Sequence, residues 1–415
     1  MILITLLAVF ILISLLVLDT YVSLYFVLLV VGALFCFKVD KLLKPIVLFV
    51  VFYLLVALLN ISTWRGYTEV FTLKCYILSL SLLVLPMLFG KDSIIDKKFR
   101  LGKNLKFVRV GLSLHLFIAY SFVAYIYITK GIVLVNQDAR FGIPTGIEYS
   151  VKSVLPIAAF IPFLFKRYHV PIILLVVLPS ILLGYRGTSV LAVVSYVISV
   201  WYVSSIKKNE IKIGGERNKK PIYIFFGIIC FFIVFSGFYL RRTGSSELAT
   251  VDVLLDIYFD YNDWWVYLII PFYLGFKETI GLTNSIISSE ITNNINEHTL
   301  FFADLFTVLP GERLAAGQSL GKIFGTIEDG GLTPGLLGGL YIDYGFLSFV
   351  FFFISGLLIK ITVKLAYRHV LFIPVASLII TQFIHLFHRG FLKPEYITSV
   401  AIALFYYLMI NKVKI

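Results

Sequence analysis

The chain has 415 residues, 60% of them hydrophobic and only 14% charged, a balance that excludes a soluble globular domain and marks a polytopic membrane protein. Its formal net charge of +13 would point to nucleic acid in a soluble domain. Here the excess Lys and Arg fall in short connectors between apolar runs, so membrane lipids, and not nucleic acid, are the expected partners.

A helix needs about 20 apolar residues to cross a bilayer, and twelve spans are predicted. The first, 2–18, has neither a basic leader nor a small-residue cleavage site and is read as a retained span. It forms a hairpin with 20–37, and Lys38, Lys41 and Lys44 mark the cytoplasmic side. The third and fourth, 45–62 and 70–90, flank Trp64-Arg65-Gly66-Tyr67, whose aromatics suit an interface. Residues 91–109 carry seven basic side chains and are cytoplasmic.

The fifth span, 110–129, leads to an outer loop, 130–150, that contains Arg140, and the sixth, 151–165, returns to Lys166-Arg167. The seventh and eighth, 170–185 and 188–206, are joined by the turn Gly184-Tyr185-Arg186-Gly187. Pro171 and Pro179 are expected to kink or break the seventh. A basic loop, 207–220, precedes the ninth span, 222–240, which exits into Arg241-Arg242. The tenth span ends at Lys360, the eleventh covers 370–387, and the twelfth is 396–410. Both termini are then cytoplasmic, because the loops and tail on that side collect 23 of the 36 Lys and Arg. The division is therefore 1–240 with nine spans, 241–335 as an extracytoplasmic helical loop, and 336–415 with three more spans. The three cysteines, Cys36, Cys75 and Cys230, lie inside apolar runs at unrelated spacings and suggest neither a disulfide framework nor a metal site.

The long outer stretch shows pattern. Asp252, Asp256, Asp260 and Asp263 recur at helical spacing opposite Val251, Leu254, Leu255, Tyr258 and Phe259, which predicts an amphipathic helix over 251–263. Residues 264–274 form an apolar run interrupted by Pro271, too short to span and expected to be interfacial or re-entrant. A second amphipathic helix is predicted over 298–309, followed by a Gly-rich polar rim.

No Walker A loop, dinucleotide fingerprint or HExxH occurs, and no cofactor or metal is expected. What recurs on the outer side is arginine: Arg65, Arg140, Arg186, Arg241, Arg242, Arg313 and Arg389. Each departs from the positive-inside rule, and arginine suits a bidentate grip on phosphate. An ion pair with an outer acid or a lipid headgroup is the competing use of each one. Among the histidines, His385, His388 and the neighbouring Arg389 share one helical face, and His298 opens a predicted amphipathic helix; a satisfied structural role competes with a catalytic one for each. Asp343 stands near the outer end of the tenth span, where an ionisable group is a site candidate.

The Gly184-Tyr185-Arg186-Gly187 turn, the large outer loop, and the run from Gly330-Gly331-Leu332-Thr333-Pro334-Gly335 through Gly338-Gly339-Leu340-Tyr341-Ile342-Asp343-Tyr344-Gly345-Phe346 resemble the Wzy-type oligosaccharide repeat-unit polymerases of bacterial O-antigen and capsule assembly. The resemblance implies an all-α, GT-C-like glycosyltransferase of the bacterial inner membrane that builds polysaccharide, including that of lipopolysaccharide, from undecaprenyl-diphosphate-linked oligosaccharide. A chain-length regulator protein is an implied further partner. Arg186 with Arg241 or Arg242 would then hold the diphosphate, supported by Arg140, Arg313 and Arg389. His298 would be the base, with Asp343 and His388 behind it, and Trp264, Trp265, Tyr267, Tyr341 and Tyr344 would line the sugar path. The same topology also fits an O-antigen-ligase-like transferase and, as a non-enzyme, a lipid-linked oligosaccharide flippase.

Overall fold

A computed structural model describes residues 2–63, 65–89, 105–133, 143–165, 168–206, 227, 232, 251–259, 264–289, 299–307, 314–324 and 331–412. The described residues are 84% helix and include no strand. The helices follow in chain order as α1 Ile2–Val17, α2 Tyr21–Lys38, α3 Lys44–Ala57, α4 Val70–Leu88, α5 Leu105–Lys130, α6 Thr145–Lys152, α7 Leu155–Leu164, α8 His169–Leu182 and α9 Arg186–Ile206. They continue as α10 Val251–Tyr258, α11 Trp264–Ser288, α12 Leu300–Phe306, α13 Ala316–Ile323, α14 Gly335–Tyr344, α15 Ser348–Arg368, α16 Ile373–Arg389 and α17 Pro394–Lys412.

Seven helical segments among the described residues are long and apolar enough to cross a membrane: Tyr21–Lys38, Val70–Leu88, Leu105–Lys130, Gly146–Leu164, Gly187–Ser205, Gly335–Arg368 and Val370–Arg389. Lys44–Ala57, His169–Leu182 and Pro394–Ile410 are apolar but shorter. Of the predicted ninth span only residues 227 and 232 are described.

Several expectations change. The third span was expected to reach 62, but α3 stops at Ala57, and the described residues from 58 to 69 belong to a loop. The interfacial run at 264–274 is the first half of the 25-residue α11, which continues through Pro271 to Ser288. A proline inside a helix forfeits one backbone bond, and here Ile270, Tyr273 and Leu274 on either side of it are buried, so side-chain packing offsets that loss. Both Pro171 and Pro179 fall within α8, the first in its opening turn, where its missing N–H has no intrahelical partner to lose. The tenth span is two helices, because Gly345 at φ 54 ends α14 and a single 3₁₀ turn, Gly345–Leu347, separates it from α15.

The chain divides into two compact units. The first comprises Met1–Lys91, Phe238–Ile361 and Phe383–Lys393. In it the long outer stretch is a packed structure and not a bare loop. Leu255 of α10 and Phe259 just after it join Val266, Ile270, Tyr273 and Leu274 of α11 in one buried cluster, the apolar face that the acidic periodicity predicted. Leu282, Ile286, Leu300, Ala316, Leu320, Leu332, Ile342 and Phe391 form a second cluster, which gathers α12, α13 and α14 against the C-terminal half of α11.

The second unit comprises Asp92–Gly237, Thr362–Gln382 and Pro394–Ile415. Small and hydroxylated residues let its helices approach closely. Ser199 Oγ of α9 lies 2.8 Å from the Ala159 carbonyl oxygen of α7 and 2.9 Å from Ser377 Oγ of α16.

Candidate functional site

Glycine spacing builds the best-defined site, at the junction of α14, α11 and the end of α16 within the first unit. Gly335 opens α14 at φ 65 and Gly390 follows α16 at φ 89, both in the left-handed region that favours glycine. A Cβ on Gly339 would fall on the carbonyl oxygen of Gly390, and one on Gly390 would fall on that of Gly335. A Cβ on Gly338 would lie 2.7 Å from the Thr283 hydroxyl of α11, and that hydroxyl donates to the Pro334 carbonyl. The Gly-rich run thus serves contact between backbones, and the contact brings Arg389 beside α14.

Arg389 is the last residue of α16. Its Nε is buried without a hydrogen-bond partner, and Arg389 forms no ion pair among the described residues. A guanidinium without a carboxylate partner differs from Arg65, which is paired with Glu278 at 3.3 Å.

The preceding His388 sits in an aromatic cage. Its ring meets those of Tyr53 and Phe276 edge-on at 5.8 and 6.0 Å. The Tyr53 and Thr279 hydroxyl oxygens lie 3.3 and 3.4 Å from its Nδ1. Tyr53, from α3, is itself buried and packs against Phe276 and Phe387.

Asp343, one turn beyond Gly339 on α14, has both carboxylate oxygens engaged. Leu300 N–H donates to Oδ1 at 3.1 Å and Phe301 N–H to Oδ2 at 2.7 Å. These are orphan donors at the start of α12, and a carboxylate there is favoured by both hydrogen bonding and the helix dipole. Asp343 therefore anchors the helix that begins two residues after His298, an expected base that lies outside the described residues. Asp343→Ala is expected to lower stability by about 1–2 kcal/mol, read as a fall in melting temperature in detergent. Asp343→Asn keeps an acceptor and should recover most of it. Loss of activity in Asp343→Asn at unchanged stability would instead return Asp343 to acid–base chemistry.

Tyr341 and Tyr344 are half-buried and pack against neighbouring rings, Tyr341 edge-on to Phe346 at 5.8 Å and Tyr344 tilted against Phe351 at 5.0 Å. Arg140, Arg241, Arg242 and Arg313 lie outside the described residues. Trp264 and Trp265 open α11 and Arg186 opens α9, and for these three only the backbone is described. The Arg186 turn is tight: Gly184 takes φ 77, and Tyr185 N–H donates to the Ser180 carbonyl at 2.7 Å.

Two features escaped the sequence reading. In the second unit Lys152 bridges Glu148 at 2.5 Å and Glu395 at 3.4 Å, with its ammonium 4.8 Å from the Tyr185 ring centroid. In the first unit Lys277 of α11 is completely buried. Its Nζ donates to Asn60 Oδ1 at 2.9 Å and to Thr68 Oγ1 at 3.1 Å, both in the 58–69 loop. Burial lowers the Lys277 pKa to about 8, which leaves the ammonium protonated at neutral pH. The available signal was a Lys-Glu pair inside an otherwise apolar helix. Among the described residues no group of three or more His, Cys, Asp or Glu side chains converges on a metal-sized site. No protein-family model matches the chain, and neither a curated protein nor a solved structure matches it.

Proposed function

We propose that this chain is a membrane glycosyltransferase that polymerises lipid-diphosphate-linked oligosaccharide repeat units at the outer face of the bacterial inner membrane. The observation that carries the reading is Arg389, an arginine without an ion pair among the described residues, held at the end of a membrane-length helix against the glycine-rich α14. The twelve-span, GT-C-like arrangement with both termini cytoplasmic belongs to the same proposal.

In the proposed reaction a hydroxyl oxygen of the acceptor sugar attacks the anomeric carbon of the donor glycan. The new C–O bond forms as the bond from that carbon to the diphosphate oxygen breaks, and the diphosphate departs on its lipid. Negative charge develops on the departing oxygen, which preorganised guanidinium groups stabilise in a water-poor site. Arg389 is assigned that work, and Arg186, Arg241 and Arg242 keep the diphosphate-binding role that the resemblance implies for them. The hydroxyl proton passes to a base, for which His298 and His388 are the candidates. Asp343 supports the reaction by fixing the start of α12.

Purified protein in nanodiscs, incubated with a single lipid-linked repeat unit, is expected to give a ladder of products spaced by one unit. Transfer of a glycan to lipid A core without a ladder would replace the reading with a ligase. Movement of the intact lipid across a bilayer without new glycosidic bonds would replace it with a flippase.

A further inference from the structure

Lys277 is an energetic anomaly within its unit. A buried ammonium retains its charge cheaply only beside a carboxylate or a dense set of acceptors. Lys277 has three N–H donors and two neutral oxygens to receive them, and it forms no ion pair among the described residues. The adjacent carboxylate, Glu278, is turned to Arg65, and the nearby Glu69 reaches Asn284 through its backbone N–H, which donates to Asn284 Oδ1 at 2.9 Å.

The surrounding loop is firmly held at both ends. Tyr21 and Tyr273 hydroxyls donate to the Leu58 and Leu59 carbonyls at 2.5 and 2.7 Å, and Asn284 Nδ2 donates to the Tyr67 carbonyl at 3.4 Å. Between these pins Asn60 is half-buried, while Arg65, Gly66 and Tyr67 are exposed. Asn60 also bridges the loop, its Oδ1 accepting from the Thr68 N–H at 3.1 Å and its Nδ2 reaching the Thr68 carbonyl at 3.5 Å. Uncovering Nζ thus takes a rotation of the Asn60 side chain that gives up these contacts while the outer pins hold.

We infer that Lys277 is the floor of an anion site for a phosphate or diphosphate group, capped in this structure by the Asn60 amide and the Thr68 hydroxyl. Oxygens of the anion replace those two acceptors and take the third ammonium donor. Arg65, released from Glu278, supplies a second cation at the rim. A fixed positive charge in a dry interior binds an anion more strongly than the same charge in water. The gain on binding explains why the chain keeps a cation where an apolar residue would be more stable. Assigning the anion to the lipid carrier rests on the proposed glycosyl transfer, whereas the anion site itself does not.

Two variants remove the net charge and leave the Tyr21, Tyr273 and Asn284 contacts of the loop in place. Lys277→Gln retains a donor toward Asn60 and Thr68, and Asn60→Asp places a carboxylate beside the ammonium. Binding is read on the full-length protein in nanodiscs with inorganic pyrophosphate, a short polyprenyl diphosphate, or phosphatidylglycerol in the bilayer, each as the only added anion. Wild type is expected to bind the polyprenyl diphosphate, and pyrophosphate more weakly. Both variants should bind at least tenfold less tightly, with melting temperatures equal to or above wild type. Equal binding by wild type and both variants, absence of diphosphate binding in wild type, or a response to phosphatidylglycerol alone would overturn the assignment. A ladder from wild type together with unchanged diphosphate binding by Lys277→Gln overturns the Lys277 site alone. Lys277-dependent diphosphate binding without a ladder from any lipid-linked repeat unit overturns the polymerase alone.

Discussion

Replacing Arg389 by alanine is expected to reduce polymer formation by about 100-fold or more, the scale on which removal of one preorganised donor to a developing oxyanion acts. The protein should remain inserted and abundant, because Arg389 makes no ion pair among the described residues and its Nε has no hydrogen bond to lose. Single-repeat products should persist while long chains disappear. Arg389→Lys keeps the charge but loses the planar fork, so it should recover only part of the loss. Arg186→Ala should give the same pattern on a gel of lipid-linked products. Full polymer length in both alanine variants would remove the arginine basis of the proposed mechanism.

Gly339→Val is expected to damage the fold severely. Even its first added atom collides with the Gly390 carbonyl, and that atom belongs to the backbone, so no side chain can swing aside to relieve the overlap. Overpacking of this kind costs about 1–3 kcal/mol and more where backbone must shift. The expected result is a melting temperature several degrees lower in detergent and a weaker band of folded protein on size exclusion. Gly275→Ala is the control. A Cβ there meets nothing within 4 Å, and alanine is the better helix former by about 1 kcal/mol. It should leave the protein as stable as wild type or slightly more so.

These two predictions depend on the sequence to different extents. That His388 and Arg389 share a helical face with His385 follows from helical spacing alone. The amphipathic character of α10 was also legible, because a period near 3.6 forces one face inward wherever the helix lies. The glycines of α14 were conspicuous as a run, yet their use was not, since backbone contact with Gly390 joins segments about 50 residues apart in the chain. Asp343 read as a site candidate near a helix end because its partners, Leu300 and Phe301, lie 43 and 42 residues away. The Pro271 run read as short for a local reason. Proline weakens a helix wherever it stands, and only buried packing around Ile270 and Tyr273 shows that α11 continues.

By itself the sequence determined the membrane class, the helical composition and the apolar faces, because hydropathy and helical period are local properties of the chain. Tertiary structure alone decided that Lys277 is a buried cation without an ion pair among the described residues, and that Asn60 and Thr68 are its neighbours. Those neighbours are 217 and 209 residues away. Burial and charge compensation are set by whatever the fold brings within a few ångströms, and no spacing along the chain encodes that.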